Sequence, residues 1–211
     1  MPTDLYAQLP DAPAEFIDTI QAVQPFTMTS PQRVLALCNA VQYILQNQIL
    51  GSFVECGVWR GGSMAAVART LVQNGVSDRD LWLYDTFDGM SEPTEKDVDF
   101  LGKTARQLLQ TEDPQDAKSV WCRSPLDGVQ AVMDQTSYPR KRIKFVEGKV
   151  VETLLQHLPQ RIALLRLDTD WYESTRLELE KLFPLMSPGG VLIIDDYGHW
   201  QGCRRAVDEY F

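Results

Sequence analysis

Residues 52–63, Ser-Phe-Val-Glu-Cys-Gly-Val-Trp-Arg-Gly-Gly-Ser, decide the fold class of this 211-residue chain. The first four of them predict a short strand, and Gly57 allows the backbone to turn sharply after it. Apolar residues at helical spacing then predict a helix over 63–74, which Gly75 ends. A strand, a glycine turn and a helix in this order are typical of an α/β protein with a parallel sheet.

Four more strands are predicted along the chain, and predicted helices precede, separate and follow them. The strands lie at 81–84, 143–146, 162–167 and 191–194, and the helices at 31–49, 150–157, 172–183 and 202–210. Because several of these strands are apolar without interruption, we expect a mostly parallel sheet with helices on both faces.

The length and composition fit one domain, since 44% of the chain is apolar and 23% is charged. We expect residues 1–30 to form an N-terminal arm with a helical turn or two, and residues 31–211 to form the domain. Residues 88–140 interrupt the alternation with a polar, turn-rich stretch that has room for helices over 101–110 and 125–135. An insertion of this length predicts a lid or substrate-binding element, and the alternative is an ordinary surface crossover.

Several classes of protein do not fit the composition. The 20 Lys and Arg against 29 Asp and Glu give a net charge of −9, which opposes binding to nucleic acid or to an anionic membrane. No apolar run reaches the roughly 18 residues of a membrane span, and the first residues lack a secretory signal pattern. Four widely spaced cysteines favour a reducing, cytoplasmic setting. Two histidines are too few for a His-rich zinc site.

Acidic residues follow the predicted strands at their carboxyl ends. In an open α/β sheet these ends line the ligand crevice, so we expect the acidic side chains to converge there. Converging carboxylates repel one another unless cations or hydrogen-bond donors offset their charge, which suggests a functional site. The acids are Glu55, Asp85, Glu147, Asp168, Asp170, Asp195 and Asp196.

The glycine turn after the first strand matches neither the dinucleotide-binding fingerprint nor a Walker A loop. Glu55 would repel a pyrophosphate there and suits a ligand with an ammonium group. Asp85 ends the second strand, where an acid typically accepts hydrogen bonds from ribose hydroxyls. A ligand with an ammonium and a ribose but no phosphate points to S-adenosylmethionine (SAM). The alternative is a plain strand-to-helix turn.

Asp168, Asp195 and Asp196 end two strands that should be neighbours in the sheet. Three carboxylates without histidine or cysteine form a hard oxygen site that suits Mg²⁺, with Ca²⁺ or Mn²⁺ as alternatives. Asp170 is close enough in sequence to accept the proton of an acceptor alcohol, and His199 is an alternative base. Without a metal, these aspartates would instead cap a helix and occupy a solvated turn.

Five spaced motifs give the chain a resemblance to a known family. They are Glu55-Cys-Gly-Val-Trp-Arg-Gly-Gly-Ser, Asp85-Thr-Phe-Asp-Gly-Met, Phe145-Val-Glu-Gly, Leu167-Asp-Thr-Asp-Trp-Tyr-Glu-Ser-Thr and Ile194-Asp-Asp-Tyr-Gly-His-Trp. Together they resemble the macrocin O-methyltransferase (TylF/MycF/NovP) family from Phe26 to Phe211. That family consists of metal-dependent class I methyltransferases, with a Rossmann-like fold, that act on sugar hydroxyls of glycosylated natural products.

The resemblance implies roles for individual residues. The metal ligands map onto Asp168, Asp195 and Asp196, and the general base maps onto Asp170. Phe87 and the Glu147–Gly148 turn would lie at the adenine of SAM. The full set of residues that we expect near the cofactor is Thr27, Met28, Glu55, Gly57, Trp59, Arg60, Gly61, Ser63, Asp85, Thr86, Phe87, Glu147, Gly148 and Asp168.

We therefore expect a SAM- and Mg²⁺-dependent O-methyltransferase that acts on a hydroxyl of a sugar-bearing small molecule. One alternative is a catechol-type O-methyltransferase, which methylates phenols. Another is a catalytically idle SAM-binding or assembly module, against which the intact Asp168, Asp170, Asp195 and Asp196 count.

The last predicted strand carries a further expectation. Class I methyltransferase sheets normally end in two antiparallel strands, whereas here the helix over 202–210 alone follows the strand at 191–194. We expect the sheet to lack that hairpin and to leave an apolar edge strand, which is an association hazard. Another chain, in a homodimer or larger assembly, or the N-terminal arm would cover this edge. The alternative is a shortened domain that tolerates an open edge.

Overall fold

Five parallel strands form one sheet in the part of the chain that the structure describes. The structure is a computed structural model that describes residues 5–114, 116 and 119–211. The strands are β1 (Ser52–Cys56), β2 (Leu81–Asp85), β3 (Ile143–Glu147), β4 (Ile162–Leu167) and β5 (Met186–Ile194), in the spatial order β3-β2-β1-β4-β5. The strand order reverses between β1 and β4, and ligands of α/β sheets bind in the crevice at such a point.

Helices cover both faces of the sheet, as predicted. They are α1 (Leu5–Gln8), α2 (Ala14–Val23), α3 (Pro31–Gln46), α4 (Gly62–Gln73), α5 (Ala105–Thr111), α6 (Leu126–Asp134), α7 (Val150–Thr153), α8 (Tyr172–Leu182) and α9 (Gln201–Tyr210). The core on one face includes α2, α3, α4 and α6, and the core on the other includes α7, α8 and α9. Of the helices in the described residues, none combines the length and the apolar character needed to cross a membrane.

The N-terminal segment is more helical than predicted. Instead of a turn or two it contains α2, which has ten residues. Phe16, Ile17 and Ile20 are buried in the core of the α3–α4 face. Because their apolar side chains recur on one side of the helix, α2 packs against α3 and α4. Residues 1–4 of the predicted arm lie outside the described residues.

The insertion over 88–140 contains α5 and α6, close to the two helices for which the sequence has room. Asp97 is fully buried, and its carboxylate accepts the N–H groups of Thr94 and Tyr172, each at 2.7 Å. Asp99 forms a β-bridge with Trp200, immediately before α9. These contacts tie the insertion to the starts of α8 and α9, beside the carboxyl edge of the sheet.

The strand β5 begins earlier than predicted, at Met186 instead of residue 191. Pro188, Gly189 and Gly190 are typical of a turn, but here they belong to an irregular first half of the strand. The register between β4 and β5 shifts between Ile162 and Leu164, which accommodates the additional residues. Within the described residues β5 pairs with β4 alone, so it is an edge strand, as expected.

Candidate active site

Strand register brings four charged side chains together at the carboxyl ends of β1, β4 and β5. Glu55 lies opposite Arg166 in the β1–β4 pair, and Arg166 lies opposite Ile193 in the β4–β5 pair. Side chains two residues apart along a strand point to the same face. Asp168 and Asp195 therefore follow Arg166 and Ile193 onto the face that α2, α3 and α4 cover.

Two adjoining cavities open at this edge of the sheet, with volumes of about 630 and 220 Å³. Gly57, Asp85 and Asp168 line both cavities, so they form part of the wall between them. Thr86 and Gly148 line the smaller cavity. The other predicted site residues that line the larger cavity are Thr27, Met28, Trp59, Ser63, Asp170, Asp195, Asp196 and His199.

The aspartates Asp168, Asp195 and Asp196 form a cluster in which one carboxylate oxygen of each lies within 4.8 Å of the others. Oδ2 of Asp196 is buried and has no hydrogen-bond partner among the described atoms. Burial raises the pKa of Asp196 to about 9, and burial together with the neighbouring acids raises that of Asp168. A buried oxygen without a partner is costly, so three carboxylates in this arrangement fit a hard divalent cation.

Asp170 lies in the turn from β4 to α8 and has a left-handed φ of 68°, which aspartate tolerates better than most residues. Burial, reinforced by the charges of Asp168 and Asp195, raises its pKa to about 7. Hydrogen bonds from Asp196 and Trp200 act in the opposite direction. A carboxyl group with this pKa exchanges its proton near neutral pH, as a general base must.

Asp85 ends β2 and fixes the glycine turn between β1 and α4. Its Oδ2 accepts the N–H groups of Val58 and Trp59 at 2.6 and 3.0 Å. Its Oδ1 accepts the N–H of Phe87 at 2.8 Å. The Thr86 hydroxyl also lies 3.4 Å from Oδ1, but its single proton is better placed for the Gly89 carbonyl, at 2.6 Å. A carboxylate has about four acceptor positions, so the three backbone groups leave Asp85 able to accept a ligand hydroxyl.

Glu55 is fully buried and lies behind the cavity walls of the described structure. Its Oε1 accepts a hydrogen bond from Arg166 at 2.7 Å, and its Oε2 has no partner among the described atoms. Burial raises the pKa of Glu55 to about 8, although the charge of Arg166 opposes this.

Gly57 lies two residues after Glu55 and has a φ of 82°, and a Cβ there would collide with the backbone of Asp168. The turn therefore requires glycine at this position.

Besides Glu55, four residues predicted near the cofactor lie off both cavity walls in the described structure. Arg60 stacks over the Trp59 ring, with 4.8 Å between its guanidinium carbon and the ring centroid. Gly61 is the N-cap of α4, and Phe87 is buried. Glu147 is exposed. Their roles at the cofactor therefore rest on the resemblance alone.

Arg166 belongs to the site but was missed by reasoning from the sequence. It is 5% exposed, and its guanidinium contacts Glu55, Asp168 and Asp195. The sequence does carry a signal, because Arg166 is the single charge in the apolar strand predicted at 162–167. Arginine is almost never buried without a partner, so this position predicts an acidic neighbour.

Comparison with known proteins identifies the family. A family model described as macrocin O-methyltransferase (TylF) matches residues 17–211. The chain belongs to this family. The resemblance carried by the five motifs is thereby confirmed, and so is the enzyme class, since the TylF family consists of SAM-dependent O-methyltransferases.

Two relatives of this TylF family member and the solved structure of a third protein agree with that assignment. The 8-demethyl-8-(2,3-dimethoxy-alpha-L-rhamnosyl)-tetracenomycin-C 4'-O-methyltransferase of Streptomyces olivaceus is 33% identical over 99% of this chain and 76% of its own length. Mycinamicin III 3''-O-methyltransferase of Micromonospora griseorubida is 32% identical over 87% of this chain and 69% of its own length. The structure of the O-methyltransferase NovP has a TM-score of 0.75 and 29% identity, over 88% of this chain and 73% of NovP. These likenesses confirm the predicted Rossmann-like methyltransferase fold.

Proposed function

We propose that this TylF family member is a SAM- and divalent-metal-dependent O-methyltransferase that methylates a hydroxyl of a sugar-bearing natural product. The observation that carries the proposal is a single cavity that contains the three clustered carboxylates together with Asp170. The names of two relatives support the acceptor class, since one acts on a rhamnosyl tetracenomycin and the other on mycinamicin III.

The residues present fit SAM. Asp85 has an acceptor position for a ribose hydroxyl, and Gly148, which is expected near the adenine, lines the smaller cavity together with Asp85. In the larger cavity, Ser63 and Thr27 offer hydroxyl groups for the methionine end. Nε1 of Trp59 is a buried donor with no partner among the described atoms. When bound, SAM supplies the methyl group as an electrophile.

The cluster of Asp168, Asp195 and Asp196 would hold the metal ion. An all-carboxylate donor set favours Mg²⁺ and is compatible with Mn²⁺ and Ca²⁺. A divalent cation there supplies positive charge that stabilises an alcohol oxygen as it loses its proton. Two observations support this assignment: Oδ2 of Asp196 has no partner among the described atoms, and one oxygen of each aspartate lies within 4.8 Å of the others.

Asp170 would accept the proton of the acceptor hydroxyl and so make that oxygen nucleophilic. SAM, when bound, would supply the methyl group from its sulfonium and would leave as the demethylated thioether. Asp170 shares the larger cavity with the carboxylate cluster, and its burial raises its pKa, which makes it a stronger base than an exposed aspartate. His199 lines the same cavity and is the alternative base. Its exposed ring packs edge-on against Phe100, with 5.2 Å between the ring centroids.

Exposed apolar side chains border the larger cavity and suit an acceptor that carries an apolar skeleton beside its sugar. Met28, Phe100 and Leu101 are 56%, 61% and 70% exposed, and all three line this cavity. The buried Asp99 accepts the N–H groups of Leu101 and Lys103 at 2.9 and 2.8 Å. The turn that presents Phe100 and Leu101 to the cavity mouth is therefore firmly held.

The test compares Asp170→Asn with His199→Gln in the presence of Mg²⁺. The acceptors are mycinamicin III and 8-demethyl-8-(2,3-dimethoxy-alpha-L-rhamnosyl)-tetracenomycin C, which the names of the two relatives give. We expect Asp170→Asn to lower kcat by about 10²–10⁴-fold, because the amide cannot take the proton. The affinity for S-adenosylhomocysteine (SAH) should stay within about twofold of wild type, since Asp170 is not expected to hold the cofactor. His199→Gln should cost only a few-fold.

The reverse pattern would make His199 the base, and small losses in both variants would contradict a protein base in this cavity. No turnover of either acceptor by the wild-type protein would contradict the proposed acceptor class.

A further inference from the structure

Arg166 is a buried cation beneath the proposed metal site. It projects from β4, and its side chain is shared between three acids from three strands or strand ends. Nη1 lies 2.7 Å from Oε1 of Glu55 and 2.6 Å from Oδ2 of Asp168. Nη2 lies 3.2 Å from Oδ1 of Asp195. Nη1 therefore binds Glu55 and Asp168, whereas Nη2 binds Asp195.

This geometry holds two of the three clustered carboxylates in place. Asp168 follows β4 and Asp195 follows β5, and the N–H of Asp195 donates to the carbonyl of Leu167 at 3.0 Å. This contact places the two backbones side by side but does not fix the directions of the two carboxylates. Each aspartate uses one carboxylate oxygen for Arg166, which leaves Oδ1 of Asp168 and Oδ2 of Asp195 for other partners. Oδ2 of Asp195 contacts the exposed Arg33 at 3.3 Å, a pair that a metal ion can displace. Like charges this close repel one another, and a rigid guanidinium fork between them opposes their separation.

We propose that Arg166 is a positioning residue that holds Asp168 and Asp195 at metal-binding distance before the ion arrives. The inference rests on the proposed metal site and extends it, because it assigns the preformed geometry of that site to a residue of the cavity wall that is not itself a proposed metal ligand. Without Arg166, binding of the ion would have to bring the carboxylates together as well as coordinate them.

The chain provides a matched control in Arg33. This residue also contacts Asp195, with 3.3 Å between Nη1 and Oδ2, but its side chain is 60% exposed whereas that of Arg166 is 6% exposed. Exposed ion pairs contribute little, because solvent and salt screen them. Replacing either arginine with lysine keeps the charge, yet only the change at Arg166 should disturb the metal site.

The experiment measures Mn²⁺ and SAH affinities of wild type, Arg166→Lys and Arg33→Lys by titration calorimetry. A lysine ammonium can replace Nη1 between Glu55 and Asp168 but cannot also reach Asp195. We therefore expect Arg166→Lys to weaken Mn²⁺ binding by about tenfold or more. SAH affinity should stay within about threefold of wild type. Arg33→Lys should change both affinities by about twofold or less.

A folded Arg166→Lys variant that binds Mn²⁺ as tightly as wild type, or more tightly, would overturn the inference while leaving the proposed metal site intact. Wild-type protein that binds SAH but no Mn²⁺ would overturn the metal site and the inference together. If Arg166→Lys does not fold, wild-type crystals with and without Mn²⁺ decide the question. We expect the contacts of Arg166 with Asp168 and Asp195 to be the same in both, and their loss on metal binding would contradict the positioning role.

Discussion

The buried carboxyl group of Glu178 makes the free energy of unfolding depend on pH. It lies fully buried on α8, and both of its oxygens contact the hydroxyl of Thr169, at 2.9 and 3.1 Å. Burial raises its pKa from 4.5 to about 8. Between these two values the folded state holds a proton that the unfolded state has released. The free energy of unfolding therefore falls as pH rises through this window.

We predict that Glu178→Gln removes part of this pH dependence. The amide is neutral at every pH, so the variant should match wild type near pH 5 and exceed it in Tm near pH 8.5. A single group contributes a slope of at most about 1.4 kcal/mol per pH unit. Thermal melts in chelator would measure the effect, with the exposed Glu180→Gln on the same helix as control. Equal slopes for Glu178→Gln and wild type would show that Glu178 is ionised in the folded state.

The sequence of the individual residues was enough to predict that the acidic side chains converge. It was not enough to predict that Arg166 contacts them. Parallel strands end at the same edge of a sheet, so Asp168, Asp195 and Asp196 were expected to meet. That Glu55 lies behind the cavity wall depends on its pairing with Arg166. This pairing is set by the register of β1 against β4, to which residues far apart in the chain contribute. No local pattern encodes it.

Most helices and strands could be predicted because each carries its own local pattern. β1 to β4 lie within about a residue of their predicted positions, since apolar runs bounded by turn residues mark them. The start of β5 could not be predicted, because Pro188 and its glycines favour a turn and only pairing with β4 extends them. The full length of α2 was missed as well, since its stability comes from packing on α3 and α4.

Contact between the N-terminal segment and α4 leads to a prediction about cofactor binding. A Cβ on Gly62 would come within 2.5 Å of the Phe26 carbonyl oxygen and 2.8 Å of the Thr27 Cβ. Gly62→Ala should therefore push Thr27 and Met28 away from the cavity and weaken SAH binding by about tenfold. Gly128→Ala is the control, because a Cβ there meets nothing within 4 Å. Wild-type SAH affinity in folded Gly62→Ala would show that this segment does not contact the cofactor.

At the scale of the whole molecule, the edge strand β5 predicts self-association. Its apolar residues 191–194 are only partly buried, and within the described residues β5 pairs with β4 alone. We predict a homodimer or larger assembly that covers this edge, because open apolar edges pair with other chains. Sedimentation velocity at micromolar concentration should then show at least twice the chain mass of 23.9 kDa. In hydrogen exchange, β5 should be better protected than β3 at the opposite edge, and a monomer without that difference would contradict the prediction.

The central claim is that three aspartates hold a divalent cation next to the cofactor and Asp170. A crystal structure of the protein with SAH and Mn²⁺ tests it most directly, because anomalous scattering locates the ion without knowledge of the acceptor. We predict one Mn²⁺ peak at about 2.0–2.3 Å from oxygens of Asp168, Asp195 and Asp196, with the SAH sulfur in the larger cavity. Well-ordered SAH with no Mn²⁺ at these carboxylates would contradict the claim.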